Sequence, residues 1–150
     1  MPDGGFYRII VPVDFSAASA EAWRLARRVA ALSDAELVLT HVGPDAPRLI
    51  GAPHVRAQIA EIVMSQRRWA EGELQRWAAE GAAEGRRVRV ALRTGVPHGE
   101  IVAAATDERA DLIVLGTQGR GGLEHALLGS VAERVVRLAP CPVLTVRAPK

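Results

Sequence analysis

Glycines cluster at a junction between a strongly apolar segment and a segment of helical periodicity. The cluster comprises Gly116, Gly119, Gly121, Gly122 and Gly129, with Ser130 directly after the last glycine. Because glycine has no Cβ, backbone N–H groups in such a loop can approach an anion closely. The N-terminus of the helix that follows adds a partial positive charge. The pattern therefore predicts a phosphate-binding loop.

The spacing of these glycines differs from two common phosphate-binding motifs. No Gly-Lys-Ser/Thr follows them as in a P-loop, and Glu124 occupies the position at which the dinucleotide fingerprint needs its third glycine. Two residues separate Gly116 from Gly119, and nine separate Gly119 from Gly129. The predicted phosphate contacts therefore follow a pattern of their own.

Asp14 is the candidate carboxylate near the start of the chain. It follows the apolar run Ile9–Val13, so we expect it at the end of a strand. Its oxygens can accept hydrogen bonds from a ribose hydroxyl or an adenine amino group, or bind Mg²⁺ through water. Alternatively it caps the helix that starts near Ala17, although Ser16 is better placed for that role.

Two side chains of the glycine-rich segment each have two interpretations. Residues 130–133 read Ser-Val-Ala-Glu, a capping box in which the hydroxyl of Ser130 accepts from the third helical N–H. The same hydroxyl can still donate to a phosphate oxygen. Arg120 either pairs with phosphate oxygens through its guanidinium or is an exposed loop arginine.

Strand-like and helix-like segments alternate along the chain, which is typical of an α/β fold with a doubly wound parallel sheet and helices on both faces. The predicted strands are Tyr7–Val13, Glu36–Val42, Arg87–Arg93, Leu112–Gly116 and Val143–Arg147. The predicted helices are Ala17–Ser33, Pro53–Ala83, Pro97–Thr106 and Ser130–Leu138. Gly43 to Pro53 is predicted to be an irregular loop.

The long second helix carries apolar residues at three- and four-residue steps, which predicts one stripe facing the sheet. The stripe consists of Ile59, Ile62, Val63, Ala70, Leu74 and Trp77.

Length and composition favour one domain spanning residues 1–150, since 49% of the 150 residues are hydrophobic. No apolar run approaches the roughly 18 residues that suggest a membrane span. Residues 1–5 lack the basic and apolar regions of a secretory signal. With Cys141 as the single cysteine, these features favour a cytoplasmic protein.

The charge pattern disfavours nucleic acid as a partner. The sequence pI is about 9.3, yet the net charge is only +2, the arginines are spread along the helices, and aromatics make up 4% of residues. The four histidines, at 41, 54, 98 and 125, show no metal-ligand spacing, so no transition-metal site is expected.

The glycine spacing resembles the nucleotide motif of the universal stress protein family, in the subgroup that binds ATP. The likeness extends to residues 122–123, 127–131 and 139–143, and to Val-Pro-Val-Asp-Phe-Ser at 11–16. It implies the strand order 3-2-1-4-5, in which strands one and four flank a switch point. Ligands of such sheets lie beyond the carboxyl ends of the strands at that point.

The resemblance also implies roles for individual residues. Pro12 and Val13 match the wall around the ribose and base, Asp14 the nucleoside contact, and Val42 a backbone contact to adenine. Gln118 stands where many members of the family carry histidine. The candidate site residues are Pro12, Val13, Asp14, Val42, Leu115, Gly116, Gly119, Arg120, Gly129, Ser130 and Val131, with ATP and Mg²⁺ as ligands.

Three functions follow as hypotheses. The first is an ATP-binding regulatory protein of the stress response, in which nucleotide occupancy alters loop order and partner surfaces. The second is a slow ATPase or a self-phosphorylating enzyme, with Ser130 or Thr117 as acceptor. The third is a nucleotide-free interaction module.

The last strand, Val143–Arg147, is predicted at a sheet edge and is apolar enough to need a partner. Members of the family pair this strand antiparallel with its copy, which implies a symmetric homodimer. Alternatively, Arg147 and Pro149 blunt the edge and leave a monomer.

Overall fold

The computed structural model describes residues 4–45, 51–118 and 128–150. Within them, five β-strands alternate with four α-helices, each within one residue of its predicted bounds. The strands are β1 (Arg8–Pro12), β2 (Glu36–Gly43), β3 (Val88–Thr94), β4 (Leu112–Gly116) and β5 (Val143–Val146). The helices are α1 (Ala17–Ser33), α2 (Pro53–Ala83), α3 (Pro97–Asp107) and α4 (Ser130–Leu138).

The strands form one parallel sheet in the order β3-β2-β1-β4-β5, which confirms the expected α/β fold and topology. Ile10 of β1 pairs with Val38 of β2 on one side and with Ile113 of β4 on the other. β1 is therefore the central strand, and its apolar run is buried on both faces, as parallel strands require.

The alternation of side chains along β1 divides the core between the two faces of the sheet. Ile9 belongs to a buried cluster that includes Trp23 of α1 and Trp77 of α2. Ile10 belongs to a second cluster, which includes Ile101 of α3 and Val135 of α4. The helices thus cover the sheet in two layers, with α1 and α2 on one face and α3 and α4 on the other.

The predicted apolar stripe of α2 is only half correct. Ala70, Leu74 and Trp77 are buried, but Ile62 is 57% exposed. The reason is length, because 31 helical residues extend about 46 Å whereas the eight residues of β2 span only about 26 Å. The N-terminal half of α2 therefore extends beyond the carboxyl ends of the strands.

Among the described residues, none of the helices combines the length and the apolar composition that a bilayer crossing needs. Of the segment from Gly43 to Pro53, for which an irregular loop is predicted, residues 46–50 lie outside the described ranges.

Candidate functional site

A cavity of about 520 Å³ opens beyond the carboxyl ends of β1 and β4. Its volume suits one small-molecule ligand. Nine of the residues predicted from the sequence line it, namely Pro12, Val13, Asp14, Val42, Leu115, Gly116, Gly129, Ser130 and Val131. Gly119 and Arg120, also predicted, lie outside the described residues.

The topology explains why segments about a hundred residues apart meet at this cavity. β1 and β4 are neighbours in the sheet, but the chain leaves β1 toward α1 on one face and β4 toward α4 on the other. Such a switch point leaves a crevice between the two connections. Because the sheet is parallel, the helix N-termini collect at the same end as the carboxyl ends of the strands.

The turn after β1 uses both polar side chains that the sequence offered as caps. Ser16 is the N-cap of α1, and its Oγ accepts from the N–H of Ser19 at 3.2 Å. Asp14 Oδ1 accepts from the N–H of Ser16 at 3.0 Å. Asp14 therefore braces the turn while its side chain lines the cavity.

The capping box predicted at Ser130 is wrong. The N-cap of α4 is Gly129, and Ser130 is the first helical residue, with no side-chain cap bond at this helix start. The N–H of Gly129 donates to the carbonyl of Thr117, and a Cβ on Gly129 would lie 2.9 Å from that oxygen. This close approach sets where the helix begins, so the hydroxyl of Ser130 is exposed at the cavity and is not used as a cap.

Gly116 has a packing role that sequence reasoning missed. A Cβ at this position would lie 2.8 Å from the backbone carbon of Ala18 and 2.9 Å from the nitrogen of Ser19. Only glycine therefore lets the first turn of α1 approach the end of β4 so closely. The residue shapes the cavity by positioning α1 beside it.

The cavity has further lining residues that were not among the candidate nucleotide-binding residues, namely Ser16, Ser19, Thr40, Pro97, Ile101, Thr117, Gln118, Leu128 and Ala132. Pro97 and Ile101 come from the first turns of α3. Their position could have been inferred from the parallel topology, because α3 follows β3 directly and therefore starts at the carboxyl end of the sheet, where the cavity lies. Thr117, one of the two suggested phosphoryl acceptors, is only 5% exposed.

The electrostatics of the described lining are simple. Asp14 is its one ionisable side chain, and positive potential comes from the N-termini of α1, α3 and α4. Ser16 satisfies one backbone donor of α1, whereas α4 begins without a side-chain cap, so its first N–H groups suit an anion. No group of three or more His, Cys, Asp or Glu side chains suited to a metal occurs in the described ranges. A magnesium ion here would therefore need ligand oxygens in addition to Asp14.

A family model described as the universal stress protein family matches residues 5–147. Universal stress protein MJ0531 of Methanocaldococcus jannaschii is 39% identical over 147 residues, covering 97% of this chain and 84% of that protein. Universal stress protein YxiE of Bacillus subtilis is 33% identical over 147 residues, covering 95% of this chain and 99% of that one.

Solved structures share the fold. Universal stress protein UspA from Lactobacillus plantarum superposes with a TM-score of 0.87 at 26% identity, covering 97% of this chain and 100% of that chain. A universal stress protein in complex with cAMP has a TM-score of 0.64 at 24% identity and covers 97% and 100% of the two chains. The universal stress protein from Archaeoglobus fulgidus in complex with dAMP has a TM-score of 0.62 at 23% identity and covers 93% of this chain and 97% of that chain.

Proposed function

This chain belongs to the universal stress protein family, and from that premise we propose that it binds ATP with Mg²⁺ as a nucleotide-dependent regulatory protein of the stress response. In this proposal residues 1–150 act as one nucleotide-binding domain. Occupancy of the cavity orders the loops around it and so changes the surface offered to partners.

One observation supports the proposal above all others. The nine described residues chosen from the sequence for nucleotide binding come from four separate stretches, residues 12–14, 42, 115–116 and 129–131, and all of them line a single cavity at the switch point. A glycine-rich segment that served only as a turn would give no reason for β1, β2 and α4 to meet there.

The cavity suggests how the nucleotide is oriented. Pro12, Val13 and Val42 are apolar or backbone surfaces suited to the base and ribose. The uncapped start of α4, with Gly129 and Ser130, suits the phosphates, and Gly119 and Arg120 remain proposed contacts from the sequence. Asp14 accepts from the ribose or holds Mg²⁺ through water.

The nucleotides cAMP and dAMP are bound in the structures of two other proteins. Their likeness to this chain bears on the fold, and the proposal of ATP rests on the glycine spacing of the sequence together with the cavity that Asp14, Gly116 and Gly129 line.

Equilibrium titration with ATP, with and without Mg²⁺, tests the proposal on the intact chain. We expect binding tighter than about millimolar, weakened about tenfold by Asp14→Asn. Asp45→Asn is the matched control, because Asp45 lies outside this cavity. Affinity weaker than about millimolar, or equal effects of the two substitutions, contradicts the proposal.

A further inference from the structure

A second cavity, of about 450 Å³, lies on the opposite face of the sheet. It is bounded by the carboxyl ends of β2 and β3 and by residues 63–70 of α2. Leu92 and Phe15 on its wall pack against the core cluster of the α1 and α2 face, whereas Val42 and Leu115 of the first cavity pack on the other face. The two cavities are therefore distinct.

Aromatic rings form one wall of this second cavity. The centroid of the Phe15 ring lies 5.1 Å from the centroid of the Trp69 ring, in an edge-to-face arrangement, and 5.0 Å from the centroid of the His41 ring. Trp69 is 48% exposed and Met64 is 58% exposed, in contrast to Trp23, which is 1% exposed in the core. Two large polarisable side chains thus have about half of their surface exposed at the cavity, and such surfaces suit a planar ring.

The backbone of Phe15 is strained in a way that presents this ring. Its φ of 64° is in the left-handed region, which a bulky residue rarely adopts. The contacts with His41, Trp69 and Trp77 hold the side chain on the α2 side of the sheet. Strain maintained at a cavity wall points to a function for the residue beyond filling the core.

Two side chains of this cavity offer hydrogen-bond acceptors, which suit a ligand whose ring carries an N–H or O–H donor. His41 Nδ1 lies 2.8 Å from the carbonyl oxygen of Val13, which can only accept, so Nδ1 carries the proton. In the neutral ring this tautomer leaves Nε2 as an acceptor, and the Asp45 carboxylate is a second acceptor on the wall.

Two arginines line the cavity, and only one is available to a ligand. Arg93 is bound to Glu100 at 2.8 Å and to Asp107 at 3.2 Å, both on α3. Arg67 forms no ion pair with any residue of the described ranges, and it is exposed on α2 beside the aromatic wall. A guanidinium in this position suits a carboxylate.

We propose that this cavity binds a small planar aromatic carboxylic acid that carries an N–H or O–H donor on its ring. The ring packs on Phe15 and Trp69, the ring donor meets His41 Nε2 or Asp45, and the carboxylate pairs with Arg67. The chemistry of the walls identifies this class of ligand independently of the nucleotide.

Indole-3-acetate is a suitable probe, followed by calorimetry and by the indole N–H signals of the three tryptophans in ¹⁵N-labelled protein. Binding should shift the Trp69 signal and leave that of Trp23 in place. Arg67→Gln should raise the Kd about tenfold, and Arg68→Gln, one position round the helix, should leave it unchanged. Indole-3-ethanol, which lacks the charge, should bind wild type and Arg67→Gln equally.

Several outcomes would overturn the proposal. An unmoved Trp69 signal excludes the cavity as the site, and equal effects of the two arginine substitutions indicate diffuse surface binding. A loss of binding in Asp14→Asn would move the ligand to the nucleotide cavity. Equal melting temperatures for the arginine variants and wild type ensure that the comparison concerns folded protein.

Discussion

Asp14 Oδ1 accepts a hydrogen bond from the backbone N–H of Ser16 at 3.0 Å, across the left-handed residue Phe15. The bond closes a local turn in which an aspartate side chain substitutes for a backbone acceptor. The same carboxylate lines the first cavity, while Phe15 lines the second. One short turn therefore shapes both cavities.

The double role of Asp14 predicts that its two functions can be separated by substitution. Asp14→Asn keeps an acceptor for the Ser16 N–H, so the melting temperature should change little while affinity for ATP falls. Asp14→Ala loses the acceptor as well, which should lower the free energy of unfolding by about 1 kcal/mol. Thermal unfolding and ATP titration of both variants check this, and a large loss of stability in Asp14→Asn would show that the charge itself braces the turn.

Gly116 gives a prediction about stability alone. Gly116→Ala places a methyl group within 2.8 Å of the α1 backbone, so the free energy of unfolding should fall by about 1–3 kcal/mol. Gly72→Ala is the matched control, because Gly72 is in the exposed part of α2 with nothing within 4 Å of the added carbon. It should stabilise the protein by about 0.5–1 kcal/mol, since alanine favours the helix. Denaturant unfolding measures both, and a neutral Gly116→Ala would mean that α1 shifts freely.

Much of the fold was predictable because single positions carried clear signals. Pro53 and Pro97 start α2 and α3 at the predicted residues, because proline has no N–H of its own that would be left without a partner at the first helical position. That Asp14 and Gly116 line one cavity was predictable from the family topology, since the carboxyl ends of neighbouring parallel strands lie at the same end of the sheet.

The features that escaped prediction depend on distances that sequence patterns do not contain. α4 begins at Ser130 as predicted, but its N-cap is Gly129, which contacts the Thr117 carbonyl, so the predicted side-chain cap does not form. The exposure of Ile62 depends on the length of α2 relative to the sheet.

Acid should weaken the ion-pair network at the amino ends of the strands. Arg89 binds Glu36 at 2.7 Å and Glu108 at 2.6 Å, and these bonds hold the pKa of both carboxyls below the usual value. A lowered folded-state pKa contributes stability that is fully present above the unfolded value, about 4.3, and is lost as the pH falls through the folded value. The free energy of unfolding should therefore decline as the pH drops below about 5.

Arg89→Gln tests the origin of that decline. At pH 7 it should lower the free energy of unfolding by roughly 1 kcal/mol, because Arg89 is partly exposed and solvent screens the pairs. The gap to wild type should close as the carboxyls protonate. Arg28→Gln, at an exposed position of α1, should keep the wild-type pH dependence. A gap that persists at pH 3 would assign the effect to packing of the arginine stem.

The exposed edge of β5 predicts self-association. β5 pairs with β4 on one side, and its Leu144 is 37% exposed. In the homodimer that we propose, this strand pairs antiparallel with its copy, so Leu144→Glu would bring two like charges together near the symmetry axis and should shift the protein to monomer. Val136→Glu is the control, since Val136 is similarly exposed on α4 away from the edge. Sedimentation velocity distinguishes the outcomes. A monomeric wild type, or a dimer that survives Leu144→Glu but dissociates in Val136→Glu, would move the interface away from this strand.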